Sequence, residues 1–272
     1  MRCNGTNMYD IDAHAAESYD QTETYTHDVE LVQDLMKTRG PLRILEPFCG
    51  TGRILIPLAQ DGHELVGLDK SKAMLDRART KIAQLPDELQ RRITLIEADV
   101  TTDDWPKGFD VVILGGNWPY ELPTAEVQEG CIESAAASLK PGGYVFHDSD
   151  HMEGELDGSW REPGIHKRPE QLLPDGTRIQ GTSETIWYDA PRRLWRARRT
   201  TTVTFPDGKT LRKEHIQQKH PVSQAEVRGW LDAHGFKIEY AKETPERIIY
   251  WAKRAARPDI AALPDRRSLQ DG

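Results

Sequence analysis

The chain has 272 residues, of which 37% are hydrophobic and 29% charged, with a formal net charge of −8. That length accommodates one well-buried α/β domain carrying an insertion, and the acidic balance argues against a broad phosphate-facing surface and hence against nucleic acid as a partner. No apolar run approaches the roughly 18 residues of a membrane span, the opening MRCNGTNMYD lacks a secretory stretch and so reads as cytoplasmic, and the scattered Cys3, Cys49 and Cys131 give neither a disulfide framework nor zinc spacing.

Residues 1–40 read as an amino-terminal cap segment in which Tyr9, Tyr19 and Tyr25 precede a helix over 28–38, ended by Gly40-Pro41. A strand over 42–46 follows, then a glycine-bearing turn and a helix over 52–60 with a mild kink expected at Pro57. A strand over 64–68 and a helix over 71–82 capped by Ser71 come next. Strands over 93–97, 109–114 and 144–147, with a helix over 124–139 and the turn Lys140-Pro141-Gly142-Gly143, continue the alternation. This rhythm predicts an α/β core over 41–154, built on a parallel sheet covered on both faces.

From 155 to 220 the rhythm changes to strands over 186–189, 194–205 and 210–218 joined by short turns, an antiparallel β insertion expected to act as a substrate lid. A helix over 223–234 and strands over 236–240 and 247–252 complete the main sheet within 221–254, and 255–272 reads as a frayed tail.

The strongest chemical signal is Ile44-Leu45-Glu46-Pro47-Phe48-Cys49-Gly50-Thr51-Gly52, followed after the second strand by Gly67-Leu68-Asp69. Glycines at 50 and 52 let the backbone approach a ligand at the carboxyl end of the first strand, where open α/β sheets bind ligands. Asp69 offers a carboxylate to the hydroxyls of a ribose. A dinucleotide site asks for a third glycine, but Leu55 stands there, and Glu46 would repel a pyrophosphate. The ammonium of S-adenosylmethionine suits Glu46 instead.

On these residues the chain resembles the class I methyltransferases over roughly residues 19–150. Ala98-Asp99-Val100 looks like that family's adenine-contacting segment, with a loop cap as the alternative role for Asp99, and Leu139-Lys140-Pro141-Gly142-Gly143 like its turn before the fifth strand. The resemblance implies a Rossmann-like, seven-stranded, mostly parallel sheet with the β insertion before the last helix. It also implies S-adenosyl-L-methionine as cofactor, held by Tyr25, Glu46, Cys49, Gly50, Gly52, Arg53, Asp69, Lys70, Met74, Asp99, Val100 and Gly115, with no metal.

For the methyl acceptor, Asn117-Trp118-Pro119-Tyr120 is loosely similar to the N/D-P-P-Y motif of amino-methylating enzymes. A longer span is similar to glycine and sarcosine N-methyltransferases: Leu114-Gly115-Gly116-Asn117, Leu122, the Lys140–Gly143 turn, His147-Asp148-Ser149-Asp150-His151 and Leu156, although no Arg stands between Asp148 and His151. The resemblance assigns Asn117, Tyr120, His147, Asp148 and His151 to the acceptor side. His147 is a candidate base by its near-neutral pKa, with a structural role as the alternative. Carboxylate chelation of a metal by the 147–151 group is a further alternative. Trp118, Tyr120, Trp160, Trp187 and Trp195 either pack the insertion or wall a pocket against the sulfonium.

Arg192, Arg193, Arg196, Arg198 and Arg199 suggest an acceptor bearing an anionic group, met either by Arg196 with Arg198 or by Arg193 with Arg199. The expected activity is therefore methyl transfer to a small polar metabolite, at nitrogen. The alternatives are an O- or C-methyltransferase, a nucleic-acid amino-methyltransferase or a non-catalytic cofactor-binding protein. Homo-oligomerisation is left open.

Overall fold

The structure, a computed structural model, describes residues 11–22, 25–150, 164–244 and 247–255. Helices α1 (Ile11–Thr22) and α2 (His27–Met36) precede the core of β1 (Arg43–Pro47), α3 (Leu55–Gln60), β2 (Glu64–Asp69), α4 (Lys72–Ile82), α5 (Asp87–Gln90), β3 (Ile93–Glu97), β4 (Phe109–Leu114), α6 (Ala125–Ser138) and β5 (Leu139–Asp150). The insertion comprises β6 (Ile165–Lys167), β7 (Gln171–Leu172), β8 (Arg178–Asp189), β9 (Leu194–Thr204) and β10 (Thr210–Lys219). Helix α7 (Gln224–Ala233), β11 (Phe236–Glu243) and β12 (Arg247–Arg254) close the core.

The main sheet has seven strands in the order β11-β12-β5-β4-β1-β2-β3, with β1 to β5 parallel and β12 antiparallel to both β5 and β11. Strand order reverses between β1 and β4, so their carboxyl ends splay apart into the crevice where such sheets take ligands. Period-two alternation divides the core between the two faces. Leu45, Val112 and Val145 pack on one side with residues of α6 and α7, and Ile44, Val111 and Phe146 on the other with residues of α2, α3 and α4. The expected α/β fold with an antiparallel insertion is the observed one, and the second sheet runs β10-β9-β8-β6 with β7 on β8.

Local chemistry sets the helix starts. The Ser71 and Thr124 hydroxyls accept from the amides of Met74 and Val127, and Ser223 forms a capping box with Glu226. Helix α3 begins three residues later than expected, after a turn with Gly52 at φ 80°. Pro57 is therefore its third residue, among the first amides that lack an intrahelical partner in any case, so the expected kink has no cause. Helix α1 escapes the sequence pattern because its apolar stripe is weak; it is fixed by tertiary contacts, chiefly Asp20 to Thr51 Oγ1 (2.5 Å), Arg77 (2.8 Å) and Lys81 (2.9 Å). Strand β5 runs on to Asp150, so Asp148, Ser149 and Asp150 are ladder residues paired with Ile249, Ile248 and Arg247.

Candidate active site

Between β1 and α3 the backbone turns with Phe48 at φ 64° and Gly50 at φ 53°. A positive φ in a bulky aromatic residue is strained; here the Phe48 side chain lines the cavity below, its ring 6.0 Å from that of Trp118. The loop is stitched to β2: Cys49 N–H donates to Leu68 O (2.9 Å), and the Asp69 carboxylate accepts from Gly50 N–H (2.9 Å) and Ser71 N–H (2.8 Å). This arrangement holds open a cavity of about 360 Å³ at the ends of β1, β2 and β4 and beside the β3 exit loop. Its wall includes Glu46, Gly50, Arg53, Asp69, Lys70, Met74, Asp99, Val100 and Gly115, nine of the residues expected to hold the cofactor.

The other three expected cofactor residues stand apart from that wall. Cys49 is buried beneath it against Gly67, where burial pushes its thiol well above the usual range. Gly52 supplies the turn, and Tyr25 lies outward under the Arg247 guanidinium, 4.6 Å from its ring centre. Tyr19 of α1 lines the cavity instead of Tyr25. Its neighbour Asp20 anchors α1 to the glycine turn, a placement no local sequence pattern reveals.

The wall fits the zwitterionic nucleoside. Glu46 is wholly buried, burial pushes its carboxyl well above the usual range, and its Oε2 has no hydrogen-bond partner. A cationic group is the partner such an atom lacks. A Cβ at Gly115 would come 2.8 Å from Ile54 Cδ1, so only glycine leaves that wall uncrowded. Asp99 lines the cavity and also caps its own loop, where the hydroxyl (2.7 Å) and amide (3.0 Å) of Thr101 hold its carboxyl below the usual range.

The described residues expected on the acceptor side, Asn117, Tyr120, His147 and Asp148, gather at the ends of β4 and β5. Asn117, left-handed at φ 61°, donates from Nδ2 to Asp150 Oδ2 (2.9 Å) and accepts at Oδ1 from Asp150 N–H (2.6 Å). Tyr120 is buried, its phenol pushed up by burial and 3.3 Å from Asp150 O. Asp148 is gripped by Arg247 through Nε–Oδ1 and Nη2–Oδ2, each 2.6 Å. Burial raises the Asp148 carboxyl, and the Arg247 fork pulls it back. Arg247 Nη1 also reaches Asp150 Oδ1 at 3.3 Å.

The sequence finds no arginine between Asp148 and His151; the structure brings one from β12, through pairing of Arg247 with Asp150. The signal that could have found it is the arginine opening the final strand of an antiparallel pair. Asp28 was missed likewise: its buried carboxylate holds Arg53 in a fork of 2.8 and 2.6 Å, and Arg53 Nη1 reaches Tyr25 O at 2.7 Å.

His147 requires correction as a base. Its ring is fully buried, Trp118 Nε1–H donates to Nδ1 (3.1 Å), and Nε2 meets Ser149 Oγ (3.1 Å), so the proton sits on Nε2. Burial, aided by the Arg247 charge, pushes its pKa down to about 3, which keeps the ring neutral and structural. His151, Trp160 and Leu156 lie outside the described residues. Among the described residues no group of three or more His, Cys, Asp or Glu is placed to hold a metal ion, and no helix is long and apolar enough to cross a membrane.

The insertion arginines are largely engaged by carboxylates of the chain itself. Arg198 bridges Glu184 (2.6 Å) and Glu214 (3.1 Å), and Arg193 pairs with Glu226 at the start of α7. Each of the two arginine pairs expected to meet an anion thus contains one side chain with an internal counter-ion. Trp195 packs inside the insertion, Trp187 stands partly exposed on it, and Trp118 alone of the expected tryptophans lines the cavity among the described residues.

Comparison with known proteins agrees with this geometry. A methyltransferase domain family matches residues 44–143. The chain is 26% identical over 248 residues to dTDP-3-amino-3,4,6-trideoxy-α-D-glucopyranose N,N-dimethyltransferase of Streptomyces venezuelae, covering 88% of this chain and 95% of the relative. An S-adenosylmethionine-dependent methyltransferase of Clostridium acetobutylicum shares the fold with a TM-score of 0.70 at 14% identity, over 92% of this chain and 100% of that one. A sugar N-methyltransferase of Streptoalloteichus does so with a TM-score of 0.70 at 18% identity, over 94% of this chain and 99% of that one. The chain thus carries a methyltransferase domain over residues 44–143 and has the fold of class I methyltransferases, and with the relative aligned along nearly its whole length this marks it as a methyltransferase dependent on S-adenosylmethionine.

Proposed function

We propose that the chain methylates the nitrogen of a small polar amine. The observation that carries this reading is the engagement of His147 on both ring nitrogens. A hydroxyl or carbon acceptor needs a base as its proton departs, and the one candidate histidine that is described is a neutral core residue. An amine brings its own lone pair, so alignment with the sulfonium methyl and exclusion of water carry the rate. The aligned Streptomyces relative, named for N,N-dimethylation of an amino sugar nucleotide, supports an amino sugar as the acceptor class.

In this reading Glu46 and Asp69 hold the amino-acid and ribose ends of the cofactor, and Asp99 with Val100 borders the adenine. Gly50 and Gly115 allow close approach, while Lys70 and Met74 border the nucleoside. Cys49 and Gly52 act through the shape of the turn. Arg53 and Tyr25 join the cofactor wall to the acceptor side, where Asn117, Tyr120 and Asp148 shape the acceptor's seat under the β insertion. An anionic group on the acceptor has weaker support, because Arg193 and Arg198 already carry internal carboxylates.

The test is incubation of the purified chain with S-adenosylmethionine and a panel of amino, hydroxy and carbon-acid acceptors that includes nucleotide-linked amino sugars, with products located by mass spectrometry. Transfer to nitrogen is expected. Transfer confined to oxygen, carbon or nucleic acid overturns the reading.

A further inference from the structure

Glu46 brings a buried carboxyl oxygen without a hydrogen-bond partner to the cavity wall. It shares a face of β1 with Ile44, so its side chain leaves the sheet on the side covered by α2 and α3, into the space between Asp28, Arg53 and Asp69. Only one of those three neighbours is cationic. The Arg53 charge is balanced first by Asp28, since its two terminal nitrogens hold both oxygens of Asp28 and one of them also holds Tyr25 O, while its Nε, like Glu46 Oε2, has no partner. Asp69 contributes like charge from the end of β2. The Leu55 amide at the start of α3 gives the one backbone hydrogen bond that favours the ionised form, and Oε2 remains without a partner.

We propose that Glu46 is protonated in the free protein and gives up its proton to solvent when the α-ammonium of the cofactor docks beside it. The inference rests on the cofactor reading above and adds to it a proton stoichiometry. Without the ligand, ionising Glu46 would place a third carboxylate beside Asp28 and Asp69, in a buried space whose one guanidinium is already paired through both terminal nitrogens with Asp28. With the ammonium present, the same ionisation creates a desolvated ion pair. The proton leaves the carboxyl oxygen for water and no other bond changes. By linkage, cofactor affinity must then rise with pH through the range in which free Glu46 titrates and level off above it.

Isothermal titration calorimetry on the whole chain tests this with S-adenosylhomocysteine and with 5′-methylthioadenosine, which carries the same nucleoside but no amino-acid end. Each is titrated at fixed pH in buffers of different ionisation enthalpy. For S-adenosylhomocysteine the heat should vary with the buffer, reporting proton release on the acid side of the range in which free Glu46 titrates and a decline of that release as the pH rises through it. For methylthioadenosine the buffer dependence should be absent. Glu46→Gln should bind S-adenosylhomocysteine at least about tenfold more weakly, with the proton release gone, and should bind methylthioadenosine as the natural protein does, which also certifies its fold. Heats of S-adenosylhomocysteine binding that ignore the buffer at every pH overturn the proposal, as does proton release that survives in Glu46→Gln. If neither ligand binds, the cofactor reading itself fails.

Discussion

Arg247 on β12 holds both carboxylate oxygens of Asp148 on β5, at 2.6 Å each, while the face of the same guanidinium covers the ring of Tyr25. Asp148 is fully buried, and among the described residues this fork is the ion pair that its carboxylate makes. Arg247→Leu should therefore destabilise the protein by about 3–5 kcal/mol in urea unfolding, whereas Arg247→Leu combined with Asp148→Leu should recover most of the loss. Equal destabilisation of the single and double variants would show that packing of Arg247, rather than its charge, matters.

Gly67 illustrates a constraint read only from contacts. A Cβ there would lie 2.6 Å from Leu55 Cδ1, 2.7 Å from Cys49 Sγ and 3.0 Å from Cys49 Cβ. Gly67→Ala should cost about 1–3 kcal/mol by overpacking. Adding Cys49→Ala should return part of that cost, since Sγ leaves but Leu55 stays. Thermal melts of the four proteins check the cycle, and strict additivity would count against the contact.

In the proposed cofactor site Asp69 would offer the ribose a carboxylate already oriented by the amides of Gly50 and Ser71. Asp69→Ala should weaken S-adenosylhomocysteine binding by about 1.5–3 kcal/mol, the range for a hydrogen bond to a charged group. Asp69→Asn, which retains one acceptor oxygen for the loop, separates loss of the turn from loss of the ribose contact: it should keep the melting temperature closer to the natural value and still bind weakly. An unchanged dissociation constant in folded Asp69→Ala would remove the ribose assignment.

His147 predicts a pH signature in stability. Its folded pKa lies near 3, below the ordinary 6.5, so below 6.5 the unfolded chain binds a proton that the folded chain refuses. The neutral ring's contribution is thus complete above pH 6.5 and declines as the pH falls toward 3. The stability advantage of the natural protein over His147→Asn should shrink by about 1.4 kcal/mol between about pH 7.5 and 5.5, which urea titrations across that range would read. A constant difference would mean that the ring titrates in the fold as it does in the unfolded chain.

The core strands, the glycine turn and the carboxylates of Glu46 and Asp69 were legible in the sequence. Their determinants are local: period-two apolar runs, helix caps, and glycines at the one place where the chain turns at the end of β1. A helix such as α1, with little apolar stripe of its own, has no such determinant. Its position depends on Asp20 meeting Thr51, Arg77 and Lys81, partners up to 61 residues away.

The class of chemistry therefore followed from the sequence by itself, because cofactor binding is built from consecutive residues at strand ends. The fate of the polar side chains around it was decided by tertiary structure. His147 and Asp148 are adjacent in one strand, yet one is a neutral core ring between Trp118 and Ser149 and the other a buried anion under Arg247. Strand alternation sends neighbours to opposite faces. What each side chain meets there, and hence its charge, is set by β12 and the β4 exit loop, strands and turns brought alongside only when the sheet is assembled.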